Sequence, residues 1–533
     1  MSKSMFLAAA ASAAAMVSLN FSAPARADWL EAKSPHFIVY GDMSQQELRA
    51  RTERLERFDA LLRTLFNVQQ TTLVTVFVLP TIGDIQDLAH NHTIGGFYSA
   101  DAQLAYMFVP EAIDEDATGL TAESVSQHEY THHMLLSNIG LYVPGWATEG
   151  LAEFFMTAKL NRDGSITVGA PDNARSYSMV GMGRWTVKDL LTSDDRNVGV
   201  NEEVQKYSRG WAMIDYLWMS GKRPGQYAKF IELLNEKGDA LAAGREAFGD
   251  LDKLNAELNA YLTRRAIPVS KFSAAQLRTP SQITFRPLTA GEAAILPFRM
   301  QSLIGVDDKT APPLADAARP VAAKYPNDTF VQRAMAEMEY DAKHYDAADA
   351  AADRALAADP KNLMAMAYKG RIALQRARQS HSAADWQAAR GWFIKANKVE
   401  PNHPLPFELY YDSFVVADQV PPQDAVAGIY RAVEVMPQDT SLRVRAAVEL
   451  IRAGNIKRAR TVLAPAAFYP HAAPDNPGRK LIEQMDKGAS SKDLLAYADK
   501  EKVLLKVNEF TGPDLAKEDQ DKNAGKDKGK GKT

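Results

Sequence analysis

Prolines recur at a near-constant spacing through the second half of the chain. They are Pro326, Pro360, Pro401, Pro437 and Pro470, at intervals of 34, 41, 36 and 33 residues. Small residues recur at the same two positions upstream of three of them, namely Ala348 and Ala355, Ala389 and Ala396, and Ala425 and Ala432. This periodicity predicts a repeated unit of two antiparallel helices, with small side chains where the helices cross and a proline at the exit.

This spacing is the pattern of tetratricopeptide repeats, and we place the repeat region at residues 289–485. The longest interval carries seven extra residues, which predicts an insertion at 376–383 in the turn between two helices. Gly370 fits a tight contact between the helices of its unit. Residues 486–515 are expected to cap the solenoid with one more helix, and the polar tail at 516–533 is expected to be disordered. The repeats imply a concave surface for a partner or peptide.

The first half of the chain carries a His-Glu-x-x-His motif at residues 128–132. On a helix, His128 and His132 lie one turn apart on the same face, so their imidazoles can bind one metal ion. Glu129 lies beside them, able to reach a water on that metal. A zinc site with an open position uses three protein ligands, and Glu149, on a second helix, is the candidate third ligand. These residues predict a zinc hydrolase.

Composition narrows the possible sites and partners. The chain has no cysteine, so any zinc must be bound by histidine and carboxylate. An apolar fraction of 46% and a charged fraction of 24% are typical of a soluble globular protein. The net charge of -4 argues against a nucleic-acid partner, which would normally require a basic patch. Beyond the N-terminus, no stretch is apolar enough to predict a membrane span.

Residues 1–27 are predicted to be a secretory signal peptide. Lys3 provides a positive start, and the alanine-rich apolar run at residues 5–17 is too short to span a bilayer comfortably. Ala25-Arg26-Ala27 has the small-x-small pattern of a cleavage site. We therefore expect cleavage after Ala27 and a periplasmic or secreted mature chain.

The motif and the segment that follows it, Trp146-Ala147-Thr148-Glu149-Gly150-Leu151-Ala152-Glu153, resemble the gluzincin metallopeptidases. That group contains thermolysin and aminopeptidase N. The chain also resembles the bacterial peptidase MA-like proteins, which often carry tetratricopeptide repeats behind the peptidase domain. The resemblance implies His128, His132 and Glu149 as zinc ligands and Glu129 as the general base.

The resemblance also implies the fold. We expect an α+β metallopeptidase domain at residues 28–270, a thermolysin-like zincin lobe with a helical subdomain. A linker at 271–288 and an all-α tetratricopeptide-repeat solenoid would follow. In gluzincins the last strand before the metal helix is a sheet edge, where it can pair with an extended substrate. We assign residues 106–109 to that role, although an edge strand that merely packs is equally compatible.

Two further residues match positions with roles in the family. Glu153 matches an acid that holds a ligand histidine by its free N–H, and the alternative is a solvated helix charge. Tyr207 matches a donor to the oxyanion, and the alternative is a tyrosine on the buried face of an aromatic-rich helix. His90 and His92 lie in surroundings rich in asparagine and glycine, so we interpret them as polar loop residues.

Two functions are compatible with these features. The first is an exported zinc-dependent peptidase that hydrolyses peptide bonds with metal-activated water and docks a partner or substrate on its repeats. The second is a periplasmic tetratricopeptide-repeat interaction or scaffold protein with a catalytically silent zinc site. The presence of Glu129 together with all three ligands favours the enzyme, because an inactive protein would more often have lost the base.

Overall fold

The computed structural model describes residues 29–68, 72–113, 120–137, 142–171, 185–193, 200–264, 266–279, 282–468 and 476–506. The predicted signal peptide, the end of the predicted capping segment and the predicted disordered tail lie outside these ranges. The chain is mostly helical, with a small N-terminal sheet and a long helical repeat-like region. Within the described ranges, no helix combines the length and apolarity needed to cross a membrane.

The N-terminal unit combines strands and helices. Its strands are β1 (Leu30–Lys33), β2 (Phe37–Gly41), β3 (Val74–Leu79), β4 (Phe97–Ala100), β5 (Ala105–Pro110), β6 (Lys159–Leu160), β7 (Ile166–Val168), β8 (Ser270–Phe272) and β9 (Thr284–Pro287). Its helices are α1 (Gln45–Phe66), α2 (Ile82–Ala89), α3 (Ala122–Leu136), α4 (Gly145–Met156), α5 (Val187–Thr192), α6 (Val200–Met219), α7 (Gln226–Lys237), α8 (Ala240–Phe248) and α9 (Leu251–Leu262).

The larger sheet has the order β4-β5-β3-β2-β1-β9. Its central strands β2, β3 and β5 run parallel, and the outer strands are antiparallel to their neighbours. All six residues of β3 are buried, because helices cover both faces and a continuous apolar run suits such a position. The metal-motif helix α3 contacts this sheet at β4 and β5.

The edge of the sheet next to α3 is β4. The prediction of an edge strand at residues 106–109 is wrong, because those residues belong to β5, which pairs with both β3 and β4. β4 and β5 form a hairpin, and its turn is closed by paired hydrogen bonds between Asp101 and Leu104 of 3.1 and 3.2 Å. Phe97 and Tyr98 are buried, so the apolar pattern of β4 does not distinguish it from an interior strand.

The segment expected as a linker contributes strands to the N-terminal unit. β8 pairs with β7 in a three-stranded sheet, and β9 pairs with β1 at the far edge of the larger sheet. Arg286 of β9 forms ion pairs with Glu31 at 2.7 Å and with Glu292 at 2.6 Å. Arg286 therefore joins β1 and β9 to the first helix of the following region.

The helical region begins at residue 290. Its helices are α10 (Ala290–Ile304), α11 (Ala311–Lys324), α12 (Thr329–Asp341), α13 (Tyr345–Ala358), α14 (Leu363–Ser380), α15 (Ala383–Val399), α16 (Pro404–Val415), α17 (Gln423–Val435), α18 (Thr440–Arg452), α19 (Ile456–Ala467), α20 (Pro477–Asp486) and α21 (Ser491–Lys500). Consecutive helices pair as hairpins, from α10–α11 to α18–α19. Among the first four hairpins, the first helix of each also contacts the first helix of the next. This architecture is compatible with a tetratricopeptide-like solenoid.

The repeat unit follows the proline and alanine pattern closely. Helices α13, α15 and α17 each end two residues before Pro360, Pro401 or Pro437, and the recurring alanines are buried. The predicted insertion in a turn is wrong, because the extra residues lengthen helices instead. Helices α14 and α15 have 18 and 17 residues, whereas α12 and α13 have 13 and 14. The inserted sequence is rich in alanine, arginine and glutamine, which favour helix.

The two parts of the chain share one apolar core. The Tyr106 hydroxyl donates to Leu303 O at 2.7 Å, and the ring of Tyr142 packs 5.0 Å from that of Phe468. Helix α18 is buried at every position from Thr440 to Ile451. The expected concave surface is therefore covered, along α18, by other parts of the same chain.

Alanine substitution at two glycines of the α14–α15 hairpin should change the stability of the protein in opposite directions. A Cβ atom at Gly370 would lie 2.2 Å from Phe393 Cε1, whereas one at Gly391 would have no atom within 4 Å. We expect Gly370→Ala to lower the free energy of unfolding by about 1–3 kcal/mol through overpacking. Gly391→Ala should raise it by about 0.5–1 kcal/mol through helix propensity. Chemical denaturation measures both changes, and equal effects would contradict the tight α14–α15 contact.

Candidate metal centre

Helix α3 is fixed at its start by its own sequence. Thr121 is the N-cap, its side chain accepts from Ser124 N at 3.0 Å, and Ser124 Oγ accepts from Thr121 N at 2.8 Å. Glu123 in the first turn complements the positive end of the helix dipole. This start places His128 and His132 one turn apart in the middle of the helix.

Helix α4 brings a carboxylate to the two histidines. All twelve residues of α4 are buried, and Glu149 is only 2% exposed. Glu149 Oε2 lies 3.6 Å from His128 Nε2, and Glu149 Oε1 lies 3.7 Å from His132 Nε2. The two histidine Nε2 atoms are 3.2 Å apart. The two imidazole nitrogens and both carboxylate oxygens therefore lie close together, with one possible ligand atom from each residue within 4.8 Å of the others.

The spacing of these donors suits a tetrahedral zinc ion. Bonds of about 2.0–2.1 Å to a tetrahedral metal place neighbouring ligand atoms about 3.3 Å apart. The Nε2–Nε2 separation of 3.2 Å is close to that value, as are the separations of 3.6 and 3.7 Å from each Nε2 to the nearer oxygen of Glu149. Two imidazoles and one carboxylate form a donor set that catalytic zinc sites use. The residues present therefore fit a zinc ion.

The electrostatics of the pocket favour a cation. Burial opposes a charge on His128, but the Glu149 carboxylate 3.6 Å away and the charges of Glu129 and Glu153 raise its pKa to about 9. The same carboxylates that stabilise a proton on the imidazole would stabilise a divalent ion. A buried carboxylate such as Glu149 is costly without a positive partner, and a metal ion supplies one.

Glu129 lies on α3 where the helix meets the edge strand. Gly96 directly precedes β4, and a Cβ atom there would lie 3.6 Å from Glu129 Cγ. The same Cβ would lie 2.5 Å from Val125 Cγ1 and 2.9 Å from Phe108 O. Only glycine permits this approach, which places the start of β4 next to Glu129.

The structure brings Glu153 near the site but not into a short hydrogen bond with its ligand. Glu153 Oε1 lies 3.9 Å from His128 Nδ1, the nitrogen that does not face Glu149. A separation of 3.9 Å is an ion-pair distance, and a hydrogen bond would need about 3.2 Å or less. Glu153 therefore lies on the Nδ1 side of His128, as the resemblance implies, but too far away for a hydrogen bond.

Tyr207 lies half-buried on α6, one turn before Gly210. Helices α4 and α6 cross at their glycines. A Cβ at Gly150 would lie 2.6 Å from the carbonyl carbon of Gly210, and one at Gly210 would lie 2.5 Å from Trp146 O. This backbone contact sets α6 beside the helix that carries Glu149. The donor role of Tyr207 stays a prediction.

The two histidines outside the motif occupy loop positions. His90 ends α2 in the left-handed conformation, with φ of 50°. The backbone carbonyl of His92 accepts from Gln86 Nε2 at 3.1 Å. Their placement agrees with the interpretation of both as polar loop residues.

Behind α3 lies a buried network that no local sequence pattern indicates. His36 Nδ1 lies 2.8 Å from Glu56 Oε2 and 3.3 Å from Asp59 Oδ2, and Arg63 Nε donates to Asp59 at 2.7 Å. Tyr130, inside the metal motif, donates to Asp59 Oδ1 at 2.8 Å. Despite burial, the hydrogen bonds from His36 keep the pKa of Glu56 below its usual value. The two carboxylates are thus bonded to protein cations and donors, and they anchor α3 to α1.

A second buried contact joins α3 to the edge strand. The Tyr98 hydroxyl of β4 lies 2.9 Å from His133 Nδ1, and the His133 ring stacks on Tyr130 at 5.2 Å. Burial lowers the pKa of His133 to about 3, so the ring is neutral. His133 directly follows His132, and its contact with Tyr98 therefore fixes β4 against the helix of the metal motif. In the sequence, His133 is marked only as a side chain that is uncharged at neutral pH and lies within the metal-motif helix.

Comparisons with known proteins cover parts of the chain. A family model described as "Protein of unknown function (DUF1570)" matches residues 123–238, which include His128, His132 and Glu149. The crystal structure of a thermophilic TPR protein in Thermus thermophilus is similar at 13% identity and a TM-score of 0.31, and covers 37% of this chain and 98% of that one. No curated protein matches the chain. The repeat character of the second half rests on its own helix pairing.

The contact between α3 and β4 predicts that Tyr98→Phe destabilises the protein more than the same substitution at a surface tyrosine. Tyr98→Phe leaves the buried His133 Nδ1 without its hydroxyl partner, so the free energy of unfolding should fall by about 1–3 kcal/mol. Tyr410→Phe is the control, because its hydroxyl bonds to Asp424 at 3.3 Å on the surface, and its change should stay within about 0.5 kcal/mol. Urea denaturation compares the two. A similar loss in both would mean that Tyr98 contributes no special contact.

Proposed function

We propose that this chain is an exported zinc-dependent peptidase of the gluzincin type. The observation that carries the proposal is the convergence of His128, His132 and Glu149 at 3.2–3.7 Å, with Glu129 beside them on α3. A structural zinc site closes its coordination with four protein ligands, whereas three ligands and an adjacent acid suit hydrolysis.

Each residue has a defined task in this proposal. His128 and His132 bind zinc through Nε2, and Glu149 is the third ligand. When bound, zinc polarises a scissile carbonyl and acidifies water. Glu129 accepts a proton from the attacking water and delivers it to the leaving amine. Tyr207 donates a hydrogen bond to the oxygen on which negative charge develops.

The substrate is a peptide or protein segment in extended conformation. Among the described strands, β4 is the last of the sheet on this side and begins beside Glu129, so under this proposal a substrate strand would pair with its outer side. Gluzincins have a sheet edge beside the cleft, and under this proposal β4 is that edge. Glu153, on the far side of His128, favours the orientation of that imidazole by its charge.

The proposal also includes export of the chain and binding of a partner or substrate by the repeat region. The predicted signal peptide at residues 1–27 directs the chain to the periplasm or outside the cell, where it acquires zinc. Helical repeats of this kind commonly bind proteins, and the repeat region would dock a partner or substrate on faces that its own N-terminal unit leaves open.

Removing the proposed base separates chemistry from metal binding. Glu129→Gln keeps the size of the side chain but cannot accept a proton, so we expect unchanged zinc content and a fall in peptide hydrolysis of at least about 100-fold. Elemental analysis and cleavage of a fluorogenic peptide library measure the two properties. Full activity in this variant would exclude Glu129 as the base. If the parent protein binds zinc but cleaves nothing, the scaffold function with a silent site is favoured instead.

Removing a ligand tests the metal site itself. Glu149→Ala takes away one of three ligands, so the purified protein should lose most of its zinc. His92→Ala is the matched control, because it removes an imidazole from a loop and should retain the zinc content of the parent. Elemental analysis after dialysis against a weak chelator gives both values. Equal zinc in Glu149→Ala and the parent would exclude Glu149 from the site.

A further inference from the structure

The C-terminal end of α3 is contacted by the helical repeat. Arg443 of α18 is fully buried, and its Nη2 donates to Leu136 O at 3.1 Å. Leu136 is the last residue of α3. The Nε of Arg443 donates to Pro437 O at 2.6 Å, in the turn before α18. The guanidinium therefore joins the repeat directly to the helix of the metal motif.

The cap residue that follows α3 is also bonded to the repeat. Gln438 Nε2 donates to Ser137 Oγ at 2.8 Å, and Ser137 Oγ donates to His133 O at 2.9 Å. On its other side, Gln438 Oε1 accepts from Thr72 Oγ1 at 3.2 Å. The turn between α17 and α18 thus lies between the end of α3 and the start of β3.

These contacts are made at the C-terminal end of α3, where the backbone carbonyls need hydrogen-bond donors. The last four carbonyls of a helix have no partner within it, and a cation near them interacts favourably with the helix dipole. Burial lowers the pKa of Arg443 to about 10, opposed by the charge of Asp439, so the guanidinium is charged at neutral pH. His132 lies one turn before Leu136. Any fraying of the last turn would therefore move its Nε2 away from Glu149.

We propose that the helical repeat is a structural part of the metal centre, in which Arg443 is a positioning residue that holds the last turn of α3 and, through it, His132. This inference rests on the proposed zinc site. A metal site needs its ligands within about 0.2 Å of their bonding distances. The repeat would help to hold His132 at such a distance, although Arg443 and Leu136 are more than 300 residues apart in the sequence.

A matched pair of arginines tests the proposal. Arg445 lies on the same helix, is also buried, and pairs with Asp412 at 2.7 Å and Glu408 at 3.1 Å within the repeat. Arg443→Met and Arg445→Met each remove one buried guanidinium, but only the first removes a contact to α3. We expect Arg443→Met to weaken zinc binding about 10-fold, with Arg445→Met within twofold of the parent. Arg443→Lys, which keeps the charge, should recover part of the loss.

Two readouts in the full-length protein separate positioning from general destabilisation. Chelator competition gives the zinc affinity, and the visible spectrum of the Co²⁺-substituted protein reports ligand geometry. Arg443→Met should change the spectrum, and Arg445→Met should not. Parent-like affinity and spectrum in Arg443→Met, or equal losses in both variants, would overturn the proposal. If Arg443→Met fails to fold, Gln438→Ala replaces it and should give a smaller shift in the same direction, whereas no shift would overturn the proposal.

Hydrogen exchange distinguishes a failure of this inference from a failure of the proposed function. In the metal-free protein, amides at residues 133–136 should exchange at least fivefold faster in Arg443→Met than in the parent or in Arg445→Met. If the parent binds no zinc, the proposed function fails, whereas faster exchange still shows that the repeat holds α3. Unchanged exchange at these amides contradicts the coupling whatever the metal content.

Discussion

The close approach of α3 and α4 is the constraint on which the site depends. The two histidine Nε2 atoms lie 3.2 Å apart and each lies 3.6–3.7 Å from an oxygen of Glu149, although Glu149 is only 2% exposed. Burying a carboxylate costs several kcal/mol unless a positive charge compensates it. Without metal, a proton on His128 meets part of that need, and its raised pKa reflects this. A divalent ion would meet it more fully, so the packing that makes the metal-free pocket costly would also favour the binding of a cation.

That approach is held from three directions. The glycine contact between α4 and α6 leaves no room for α4 to shift, because backbone lies against backbone at Gly150 and Gly210. Behind α3, the hydrogen bond from Tyr130 to Asp59 fixes the helix against α1. At its C-terminal end, Arg443 of the repeat reaches Leu136. Since the shared apolar core also spans both parts, the two parts of the chain form one structural unit around the pocket.

The sequence predicted features that depend on local periodicity. The placement of His128 and His132 one turn apart on a helix and the proline-terminated hairpins both follow from the spacing of residues along the chain. Features set by distant pairing were not predictable. The order of β4 and β5 at the sheet edge, the pairing of β9 with β1 and the capping of α3 by Arg443 join residues that no local pattern relates. The buried network around Asp59 belongs to the same class.

The most direct test of the account is a crystal structure of the zinc-loaded protein with anomalous diffraction recorded on both sides of the zinc absorption edge. A zinc ion in the proposed site should give a single strong anomalous peak about 2.0–2.2 Å from His128 Nε2, His132 Nε2 and a Glu149 oxygen, with one coordination position left to solvent. A peak at His36, Glu56 and Asp59 instead, or a zinc ion at His128 closed by a fourth protein ligand, would contradict it.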